Sequence, residues 1–449
     1  MTPRGTQVHL GAGAFARGHT WLCTARAQRE DGWGVVAVAQ RSERVIGLLR
    51  QNRWAYTVVE ADEDHADAHR VDVVTGGLVA HGQETALLAS LADESTHVVT
   101  ITATEAAYPR TPEGRLNRAA VAQDLDDGGV RTLIGQVVAA ARERERAGMG
   151  GVSFVVCDNI LRGGDVLRTL ALEFALARGE EGAARWLTER ATFPNAVVDR
   201  IVPAPTEDVI RAAQRLTGTA DAAMVVTEPF FRWILQDSFA GPRPRWEDAG
   251  AVLVDSVAPW EAVKLNLVNA PHSLLAYLGL LVGHSTTHAA VGDPVLRRGL
   301  EHAFREDLVP AITESDGISP WVEAESSVRR FANPRIHHRL DQIGAGGAHK
   351  LSQRLSAPLQ DASRRGRGAH WLALCLAAWA ECGARGLVSD SPRADTGSWV
   401  ERAAGVLQAA GLESVAPEGF ASEIAARWDT LARRGAHAAV IELSESGES

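Results

Sequence analysis

Residues 8–19 read VHLGAGAFARGH, and this stretch decides the fold. Gly11, Gly13 and the small residue Ala16 fit the G-x-G-x-x-G/A pattern that follows the first strand of dinucleotide-binding folds. The first glycine permits a tight turn, the second lets the backbone approach a pyrophosphate, and the small third residue lets helix and strand pack closely. The residues predicted to bind a dinucleotide in this turn are Gly11, Gly13, Ala14, Phe15 and Ala16.

The segments around this turn predict a doubly wound parallel sheet. Residues 20–30 predict a helix whose N-terminus faces the pyrophosphate, and GVVAVA at 34–39 predicts the second strand. Two β-branched runs, HVVTIT at 97–102 and VSFVVC at 152–157, are typical of buried parallel strands. The helices predicted between strands span 130–146 and 165–177. An ordinary glycine-rich loop would lack this context, so the order of elements favours an α/β fold with a Rossmann-like domain.

The end of the second predicted strand bears on the choice between NAD and NADP. NAD-binding folds usually carry an acidic residue there, which binds the ribose hydroxyls. This chain has Gln40 and Arg41 at that place and no carboxylate before Glu43. Arg41 and Ser42 are suited to a 2′-phosphate, whereas an Arg41 that stacks on adenine or lies in solvent would give no such preference. We predict that Gln40 and Arg41 contact the cofactor, and NAD and NADP both remain candidates.

Polar residues also follow the two later strands. Thr102 and Thr104 come at the end of the run at 97–102, and Asn159 follows the run at 152–157. Ligands of open parallel sheets bind beyond the carboxyl ends of the strands. We therefore predict cofactor contacts from Thr102 and Thr104 and a catalytic role for Asn159. A turn-capping asparagine is the alternative for Asn159.

The second half of the chain changes character. Short strands are predicted at 197–202, 224–227 and 252–254, and the pattern is helical from Pro259 onward. We predict two domains. A Rossmann-like NAD(P)-binding domain spans 1–255, and a mainly α-helical substrate domain spans 256–449.

The helix predicted from Pro259 carries a few polar residues in an apolar sequence, WEAVKLNLVNAPHSLLAYLGLL at 260–281. Such a sequence predicts a buried helix. At about 100° per residue, four polar side chains fall within one arc of an ideal helix. They are Glu261, Lys264, Asn269 and His272. Pro271 should kink or loosen the helix. Because buried polar groups need partners, the arc predicts either a polar seam between helices or an active site.

Several separated motifs occur in an order that is known from one family. They are GAGAFARGH at 11–19, CDN at 157–159, K-x4-N-x2-H at 264–272, FPNAVVDRIVP, TEPFFRWILQDSF and RFANPRIHHRL. With these motifs the chain resembles the polyol-specific long-chain dehydrogenases, which include mannitol 2-dehydrogenase, arabinitol dehydrogenase, fructuronate and tagaturonate reductases and mannitol-1-phosphate 5-dehydrogenase. The resemblance implies a Rossmann-like N-terminal domain, a helical C-terminal domain and chemistry that requires no metal.

The resemblance also implies roles for the matching residues. Lys264 is expected to be the general base, and His272 is expected to orient substrate and base. Asn159 and Asn269 are expected to hold the reacting oxygen. Oxidation of an alcohol requires a base that accepts the proton of the hydroxyl group. A lysine can do this near neutral pH only if its pKa falls toward neutrality, and both burial and a nearby positive nicotinamide lower that pKa. Glu261, one turn before Lys264, either passes the proton to solvent, pairs with the lysine or caps the helix.

A further stretch departs from the family. The family has a stretch that resembles Q-I-A-x-D-G-S-x-K, and this chain has QIGAGGAHK at 342–350, with Gly346 and Ala348 in place of Asp and Ser. Arg339 and the retained Lys350 are candidate contacts to the far hydroxyls, carboxylate or phosphate of a substrate, as is Arg354. A basic face in solvent is the alternative. These departures predict a divergent substrate pocket.

Composition excludes several classes of protein. The chain has 449 residues, 45% of them hydrophobic and 23% charged, and a formal net charge of −10. This balance excludes wholesale disorder and disfavours general nucleic-acid binding, which needs a basic face. The first residues lack the apolar core of a signal peptide, and the longest apolar run is shorter than the about 18 residues of a membrane span. The four cysteines form no CxxC pair or metal-ligand cluster. We expect a cytoplasmic protein, monomeric or a small homo-oligomer, with no membrane, nucleic-acid or metal partner.

These observations predict an NAD(P)-dependent oxidoreductase that interconverts a sugar alcohol or aldonate and the corresponding ketose or keto-uronate. One alternative is an oxidative decarboxylase like 6-phosphogluconate dehydrogenase. Those enzymes use K-x3-N, whereas here the fourth residue after Lys264 is Val268. The other alternative is a non-catalytic dinucleotide sensor, which would not need the Lys, Asn and His set.

Overall fold

The computed structural model describes residues 5–27, 32–203, 207–218, 221–314, 317–336, 338–392 and 397–446. The chain forms two compact units, Met1–Ala258 and Pro259–Ser449. The division into domains at residue 255 stays a prediction. The predicted fold class is confirmed, because the first unit is built on a Rossmann-like parallel sheet and the second is helical.

The central sheet of the first unit contains four of the predicted strands, and the other three predicted strands lie in smaller sheets. The strands of this unit are β1 (Gly5–Leu10), β2 (Trp33–Ala39), β3 (Tyr56–Ala61), β4 (Ala66–Val71), β5 (Val74–Val79), β6 (Thr96–Ile101), β7 (Ser153–Val156), β8 (Ala196–Asp199), β9 (Val225–Thr227), β10 (Arg232–Gln236) and β11 (Val252–Val254). The order in the central sheet is β5-β2-β1-β6-β7, and all its pairs are parallel. The carboxyl ends of β1, β6 and β7 therefore lie at one edge, as expected for a dinucleotide-binding sheet.

Two smaller sheets, β11-β10-β8 and β4-β3-β9, complete the strands of this unit. Strands β3, β4, β5 and β10 are not predicted from the sequence. The pattern of β4, ADAHRV, is mostly polar and exposed, and β5, VTGGLV, contains two glycines, which weaken a strand signal. These two segments form strands because they pair with the buried strands β3 and β2, although their own sequences have a weak preference for β structure.

The helix that follows the glycine turn differs from the predicted one. The helices of this unit are α1 (Ala14–Gly18), α2 (Thr20–Arg26), α3 (Arg44–Gln51), α4 (Glu84–Leu91), α5 (Ala122–Asp127), α6 (Leu133–Arg146), α7 (Gly163–Ala177), α8 (Glu181–Glu189) and α9 (Glu207–Thr217). The predicted helix at 20–30 starts at Thr20 as α2 does, but a separate helix, α1, precedes it, and the two are divided at His19, where φ is −126° and ψ is −83°. Residues 28–30 lie outside the described part of the chain.

The second unit is built from helices. They are α10 (Ala258–Val263), α11 (Ala270–Val282), α12 (Thr287–Gly292), α13 (Pro294–Ala303), α14 (Pro320–Phe331), α15 (Leu340–Gly344), α16 (Gly347–Arg364), α17 (His370–Ala384), α18 (Trp399–Ala409) and α19 (Phe420–Ser446). Two turns of π-helix, Lys264–Asn269 and Phe304–Leu308, interrupt the α-helical pattern. Helix α19 is broken at Gly435, where φ is +83°. The π-helical turn Lys264–Asn269 directly precedes Pro271, where the sequence predicts that the helix kinks or loosens.

Helix α17 forms the centre of this unit. Its sequence, HWLALCLAAWAECGA, is buried along nearly its whole length, and it packs against α11 and α19. The buried carboxylate of Glu381 accepts a hydrogen bond from Trp428 Nε1 at 2.9 Å. The run Ala258–Val282, with a mean hydropathy of 1.3, is long and apolar enough to cross a membrane, but 72% of that apolar window is buried within the protein. Such burial is typical of the core helix of a globular unit.

Asp307 caps α17 from within this core. Its Oδ2 accepts hydrogen bonds from the backbone N–H groups of Trp371 at 2.8 Å and Leu372 at 3.1 Å. Burial raises the pKa of Asp307 to about 7, against the opposing effect of these hydrogen bonds. Because the folded pKa lies above the unfolded one, this group stabilises the fold at low pH, and the contribution is lost as the pH rises from about 4 through about 7.

We predict that Asp307→Asn makes the unfolding midpoint less dependent on pH between 5 and 8. The amide oxygen keeps an acceptor for the two N–H groups but carries no charge, so the variant should be the more stable protein at pH 8, by up to about 4 kcal/mol. Denaturant titration followed by tryptophan fluorescence measures this difference. Asp293→Asn is the control, because hydrogen bonds, chiefly from His437, lower the pKa of Asp293 against the effect of its burial. Because the pKa of Asp293 is lowered, its carboxylate stays charged throughout pH 5 to 8, and Asp293→Asn should leave the slope of stability against pH in this range unchanged. Parallel pH profiles for wild type and Asp307→Asn would contradict the assignment.

Candidate active site

The glycine turn leaves no room for a side chain at its first position. Gly11 has φ +108°, and a Cβ there would overlap the carbonyl oxygen of Thr102. The N–H groups of Gly11 and Ala12 donate to the carbonyl of Val38 at 2.8 and 3.0 Å. Gly13 is exposed, and the nearest atom to a Cβ placed on it, the Gly11 carbonyl oxygen, is 3.8 Å away. A tight turn with an open, accessible backbone at Gly13 fits the binding of a pyrophosphate.

Thr102 supports this turn from within the sheet. Its hydroxyl donates to the Gly11 carbonyl at 2.7 Å and lies 2.9 Å from His9 Nε2, while His9 Nδ1 lies 2.8 Å from the hydroxyl of Thr100. Burial lowers the pKa of His9 to about 3, so this imidazole is neutral. Thr102 therefore has a structural role that the sequence analysis did not predict. Its cofactor contact, and that of Thr104 at the start of the next turn, stay predictions.

Arg17 holds the short helix after the turn, and the sequence analysis missed it. Its Nε donates to the Gly13 carbonyl at 3.2 Å, and Nη1 donates to the carbonyl of Ala223. The hydroxyl of Tyr56 donates to the Arg17 carbonyl at 2.8 Å. The side chain of Arg17 is buried, so this cation ties α1 to the neighbouring sheet. Its position inside the GAGAFARGH motif was the available signal.

Asn159 lies exposed just beyond β7, at the same sheet edge as the glycine turn. The preceding residue fixes this loop, because Asp158 Oδ1 accepts a hydrogen bond from Ala103 N at 2.7 Å and Oδ2 accepts one from the hydroxyl of Tyr108. The loops after β6 and β7 are thereby held together. The amide of Asn159 is in the position expected for a ligand contact in a parallel sheet.

A cavity of about 290 Å³ opens beyond β2 and β5. It is lined by Gln40, Arg41, Ala80, His81, Glu84, Val130, Arg131 and Gln136. Gln40 lines the cavity, but its side-chain amide is already engaged in two hydrogen bonds, of 2.7 and 3.2 Å, with the amide of the buried Gln136. Arg41 is exposed, whereas Arg131 is paired with Asp124 and Asp127. Arg41 and His81 are therefore the lining residues best placed to contact a ligand. Of the two, only Arg41 was predicted from the sequence.

In the second unit, the predicted base lies on a π-helical turn. The N–H of Ala270 donates to the carbonyl of Leu265, five residues earlier, which is the π pattern. Pro271 follows directly and has no N–H for the α-helical bond. Because the turn is widened between Lys264 and Asn269, the arc calculated for an ideal helix does not hold. Lys264 and Asn269 are half-buried, and Glu261 is buried. The roles of all three stay predictions.

His272 lies in a group of cations that we call the cation cluster: Arg330, Lys350 and Arg354 around His272 and His338. The ring centroids of the two histidines are 5.1 Å apart, and that of His272 is 3.9 Å from the Phe331 ring. Arg354 Nη1 donates to the hydroxyl of Ser273 at 2.8 Å. Burial is the main cause that lowers the pKa of both histidines. The pKa of His272 lies well below its usual range, lowered further by His338, Arg354 and Arg330, and the pKa of His338 falls to about 4, lowered further by Arg330, Arg354 and Lys350. Both imidazoles are therefore neutral near pH 7.

Lys350 joins this cluster, and Arg339 does not. Lys350 Nζ donates to the carbonyls of Gln342 and Ile343 at 3.3 and 3.1 Å. Burial, reinforced by Arg354, lowers its pKa to about 8. Arg339 is exposed, and its guanidinium pairs with Asp341, with Nε 2.9 Å from Oδ1. The predicted substrate contacts of Arg339, Lys350 and Arg354 all stay predictions.

Asn266 was also missed. It lies on the π-helical turn with 1% of its surface exposed, and neither amide atom has a hydrogen-bond partner among the described residues. The Nε2 atom of His272 is likewise buried with no partner in the described part of the chain. Buried polar atoms without partners are costly, and they concentrate at sites where a ligand or water completes the hydrogen bonding.

Both units match models of one protein family. Residues 6–248 match the mannitol dehydrogenase Rossmann domain, and residues 256–384 match the mannitol dehydrogenase C-terminal domain. The D-mannonate oxidoreductase of Escherichia coli is 33% identical over 383 residues, which are 83% of this chain and 78% of the relative. The mannitol 2-dehydrogenase of Phaeosphaeria nodorum is 31% identical over 384 residues, which are 83% of this chain and 67% of the relative.

Solved structures resemble the chain over nearly its whole length. A ternary complex of Pseudomonas fluorescens mannitol 2-dehydrogenase with NAD and D-mannitol matches with a TM-score of 0.86 and 26% identity, and the match covers 99% of this chain and 95% of that one. A substrate-free D-sorbitol dehydrogenase matches with a TM-score of 0.83, also at 26% identity, over 98% of this chain and 95% of that one.

We predict that Arg41→Ala weakens the binding of NADP by about 10- to 100-fold, the range for a lost charge-assisted hydrogen bond, and leaves NAD binding within about threefold. Gln40→Asp should shift the preference toward NAD by repelling the 2′-phosphate. Dissociation constants from the quenching of tryptophan fluorescence measure both. Arg44→Ala is the matched control, since Arg44 is an exposed arginine that does not line the cavity. An unchanged ratio of the two constants in Arg41→Ala would show that Arg41 lies in solvent.

Proposed function

Because the chain belongs to the mannitol dehydrogenase family, we propose that it oxidises a secondary alcohol of a polyol or aldonate to the ketone, and reduces the ketone in the reverse direction. The observation that carries this proposal is the placement of lysine. Only two of the 46 lysines and arginines of the chain are lysine, namely Lys264 and Lys350. Both lie in the part of the second unit that carries the predicted substrate residues.

This use of lysine favours a chemical role. Arginine stays charged in proteins, so it serves for ion pairs and not for proton transfer near neutral pH. Lysine loses its proton when burial disfavours the ammonium. A chain that uses arginine at nearly every other cationic position keeps lysine where the amine itself is needed. Lys264 is half-buried on the π-helical turn, and this burial supports the proposal that its amine is the base.

The proposed reaction separates a proton from a hydride. The neutral amine of Lys264 takes the proton of the substrate hydroxyl, and a C=O bond forms as the O–H and C–H bonds break. A bound nicotinamide dinucleotide supplies the acceptor of the hydride in oxidation and its donor in reduction. In reduction the Lys264 ammonium returns the proton to the oxygen. General-base catalysis of this kind typically contributes about 100- to 10,000-fold to the rate.

Neutral donors stabilise the charge that develops on the oxygen. We propose that the amide groups of Asn159 and Asn269 hydrogen-bond the reacting oxygen, as the donors of an oxyanion hole do. His272, which is neutral, orients the substrate through a hydrogen bond of its imidazole. Glu261 either relays the proton from Lys264 to solvent or pairs with the lysine. The dinucleotide is held by the open backbone of the turn at Gly11 and Gly13 and by residues of the cavity beyond β2.

We predict that Lys264→Met abolishes oxidation, with a fall in kcat of about 100- to 10,000-fold, and leaves dinucleotide binding nearly unchanged. The methionine keeps the apolar stem of the side chain but cannot accept a proton. Stopped-flow absorbance of the reduced nicotinamide measures the first effect, and fluorescence quenching measures the second. Near-normal turnover of the variant at neutral pH would refute the role of Lys264.

The pKa of the proposed base is directly measurable because the chain has so few lysines. Reductive methylation with ¹³C-formaldehyde labels Lys264, Lys350 and the α-amino group, and Lys264→Met assigns the spectrum by removing one signal. We expect the Lys264 signal to titrate well below the usual lysine value of about 10.4. A Lys264 signal that titrates near that value would count against its role as a base.

We also propose that turnover needs no divalent metal, since Lys264 and the two asparagines supply the proton acceptor and the donors. In the described parts of the chain, no group of three or more His, Cys, Asp or Glu side chains is arranged to hold a metal ion. We predict full activity after dialysis against EDTA. A loss of activity that added zinc restores would contradict this prediction.

A further inference from the structure

Asn159 lies between two residues that are anchored to the first unit. Ile160 follows it and is buried in the core beside the central sheet. Asp158 precedes it, and the carboxylate of Asp158 accepts hydrogen bonds from two groups of the loop after β6. Asn159 itself is exposed. Because a loop side chain keeps a defined direction only if its neighbours hold the backbone, these two anchors limit where the amide of Asn159 can point.

The carboxylate of Asp158 links two loops at the point where the strand pairing ends. The backbone bonds between β6 and β7 extend to the one from Cys157 N to the Ile101 carbonyl, at 2.8 Å. Beyond it, Asp158 Oδ1 accepts a hydrogen bond from Ala103 N at 2.7 Å, and Oδ2 accepts one from the hydroxyl of Tyr108. Both partners are donors, and an ionised carboxyl group offers an acceptor oxygen to each. Asp158 thus joins the loops where the backbone ladder no longer does.

Tyr108 holds the far end of the loop after β6 from within the core. Its side chain is buried, with 1% of the residue surface exposed, and its N–H donates to the Glu105 carbonyl at 3.0 Å. Burial, reinforced by the charge of Asp158, raises the pKa of Tyr108 well above its usual range, so the phenol keeps its proton and stays a donor. Hydrogen bonds to an ionised acceptor are about twice as strong as neutral ones. The pair is therefore a firm link between core and loop.

The loop after β6 also contacts the glycine turn. The hydroxyl of Thr102 donates to the Gly11 carbonyl at 2.7 Å, and the next residue, Ala103, donates through its N–H to Asp158. Two consecutive residues thus connect the turn that is predicted to bind the dinucleotide with the loop that carries Asn159. A displacement of this loop would change the distance between Asn159 and the turn.

We propose that Asp158 and Tyr108 are positioning residues, which hold the amide of Asn159 at a fixed place relative to the glycine turn. The inference rests on the proposed function, in which Asn159 hydrogen-bonds the reacting oxygen. The two residues act through Asn159 and not on the substrate. A displacement of about 1 Å in a catalytic group can cost about 100-fold in rate, so a loop that shifts slightly loses much of the effect of its amide.

Tyr108→Phe gives the first measurement, because it removes one hydroxyl and keeps the ring. We expect the rate constant of hydride transfer to fall by about 3- to 30-fold, less than the loss of about 100- to 1,000-fold expected for Asn159→Ala. KM and the dissociation constant of the dinucleotide should stay within about threefold of wild type. Single-turnover stopped-flow absorbance measures the rate, with the hexitol or hexonate that wild type oxidises fastest. A wild-type rate in Tyr108→Phe would overturn the inference.

A double-mutant cycle tells positioning from a general loss of stability. If Tyr108 acts through Asn159, Tyr108→Phe in the Asn159→Ala background should slow hydride transfer by less than about twofold further. Tyr277→Phe is the matched control, since it also removes one buried hydroxyl, which donates to the Gly344 carbonyl at 3.1 Å. Its effect should multiply with that of Asn159→Ala. Multiplying effects of Tyr108→Phe and Asn159→Ala would show that Tyr108 does not work through Asn159.

Asp158 is tested by removal and by rescue. Asp158→Ala removes both hydrogen bonds, whereas Asp158→Asn keeps an oxygen for Ala103 N and offers its NH2 group to the oxygen of Tyr108. We expect Asp158→Asn to recover part of the rate of hydride transfer that Asp158→Ala loses. Near-ultraviolet circular dichroism and titration with dinucleotide verify that each variant is folded. If Asp158→Ala is unfolded, the cycle with Tyr108→Phe decides the question. Equal rates in the two folded variants would count against the role of these hydrogen bonds.

These outcomes separate the inference from the function on which it rests. Absence of turnover by wild type with hexitols, hexonates and either dinucleotide overturns the proposed function itself. A wild-type rate in Asn159→Ala overturns the role of Asn159, and the positioning with it, while turnover by the family reaction stands. A slow Asn159→Ala variant in which Tyr108→Phe keeps its full effect leaves the proposed function intact and overturns only the inference.

Discussion

The edge of the first unit that binds the dinucleotide depends on one close approach between two backbones. Gly11 lies against the carbonyl of Thr102, where a Cβ does not fit, and the Thr102 hydroxyl donates back to the Gly11 carbonyl. This contact joins the ends of β1 and β6, which are neighbours in the parallel sheet. The buried imidazole of His9 supports the same threonine. Because these groups are packed and hydrogen-bonded, the open backbone at Gly13 is held in place before any ligand binds.

The second unit uses a different device to position its polar residues. A proline after the π-helical turn removes one α-helical hydrogen bond, and the wider turn changes the directions of the side chains between Lys264 and Asn269. The distortion is tolerated because the rest of α11 packs against α17, whose apolar face is buried. A rigid helical core thus supports an irregular turn, as is common for π-bulges at functional sites.

The chain uses arginine and lysine at different kinds of position. Many arginines form ion pairs, as Arg131 does with Asp124 and Asp127, whereas lysine occurs at only two positions of the sequence. We propose Lys264 as the proton acceptor, because proton transfer near neutral pH requires a group that can lose its charge, and arginine does not.

The sequence by itself determined the parallel sheet, the glycine turn and the helical second half, because each depends on local patterns: β-branched runs, spaced glycines and apolar periodicity. It also indicated Lys264, Asn269 and His272 through the family resemblance of their spacing. Only the tertiary structure decided the break at His19, the π-helical turn and the support of Thr102 and Arg17. Contacts between distant segments decide the partners of Thr102 and Arg17, which no local pattern encodes. Pro271 indicates a loosened helix from the sequence, and the structure shows that the loosening is a π-helical turn at Lys264–Asn269.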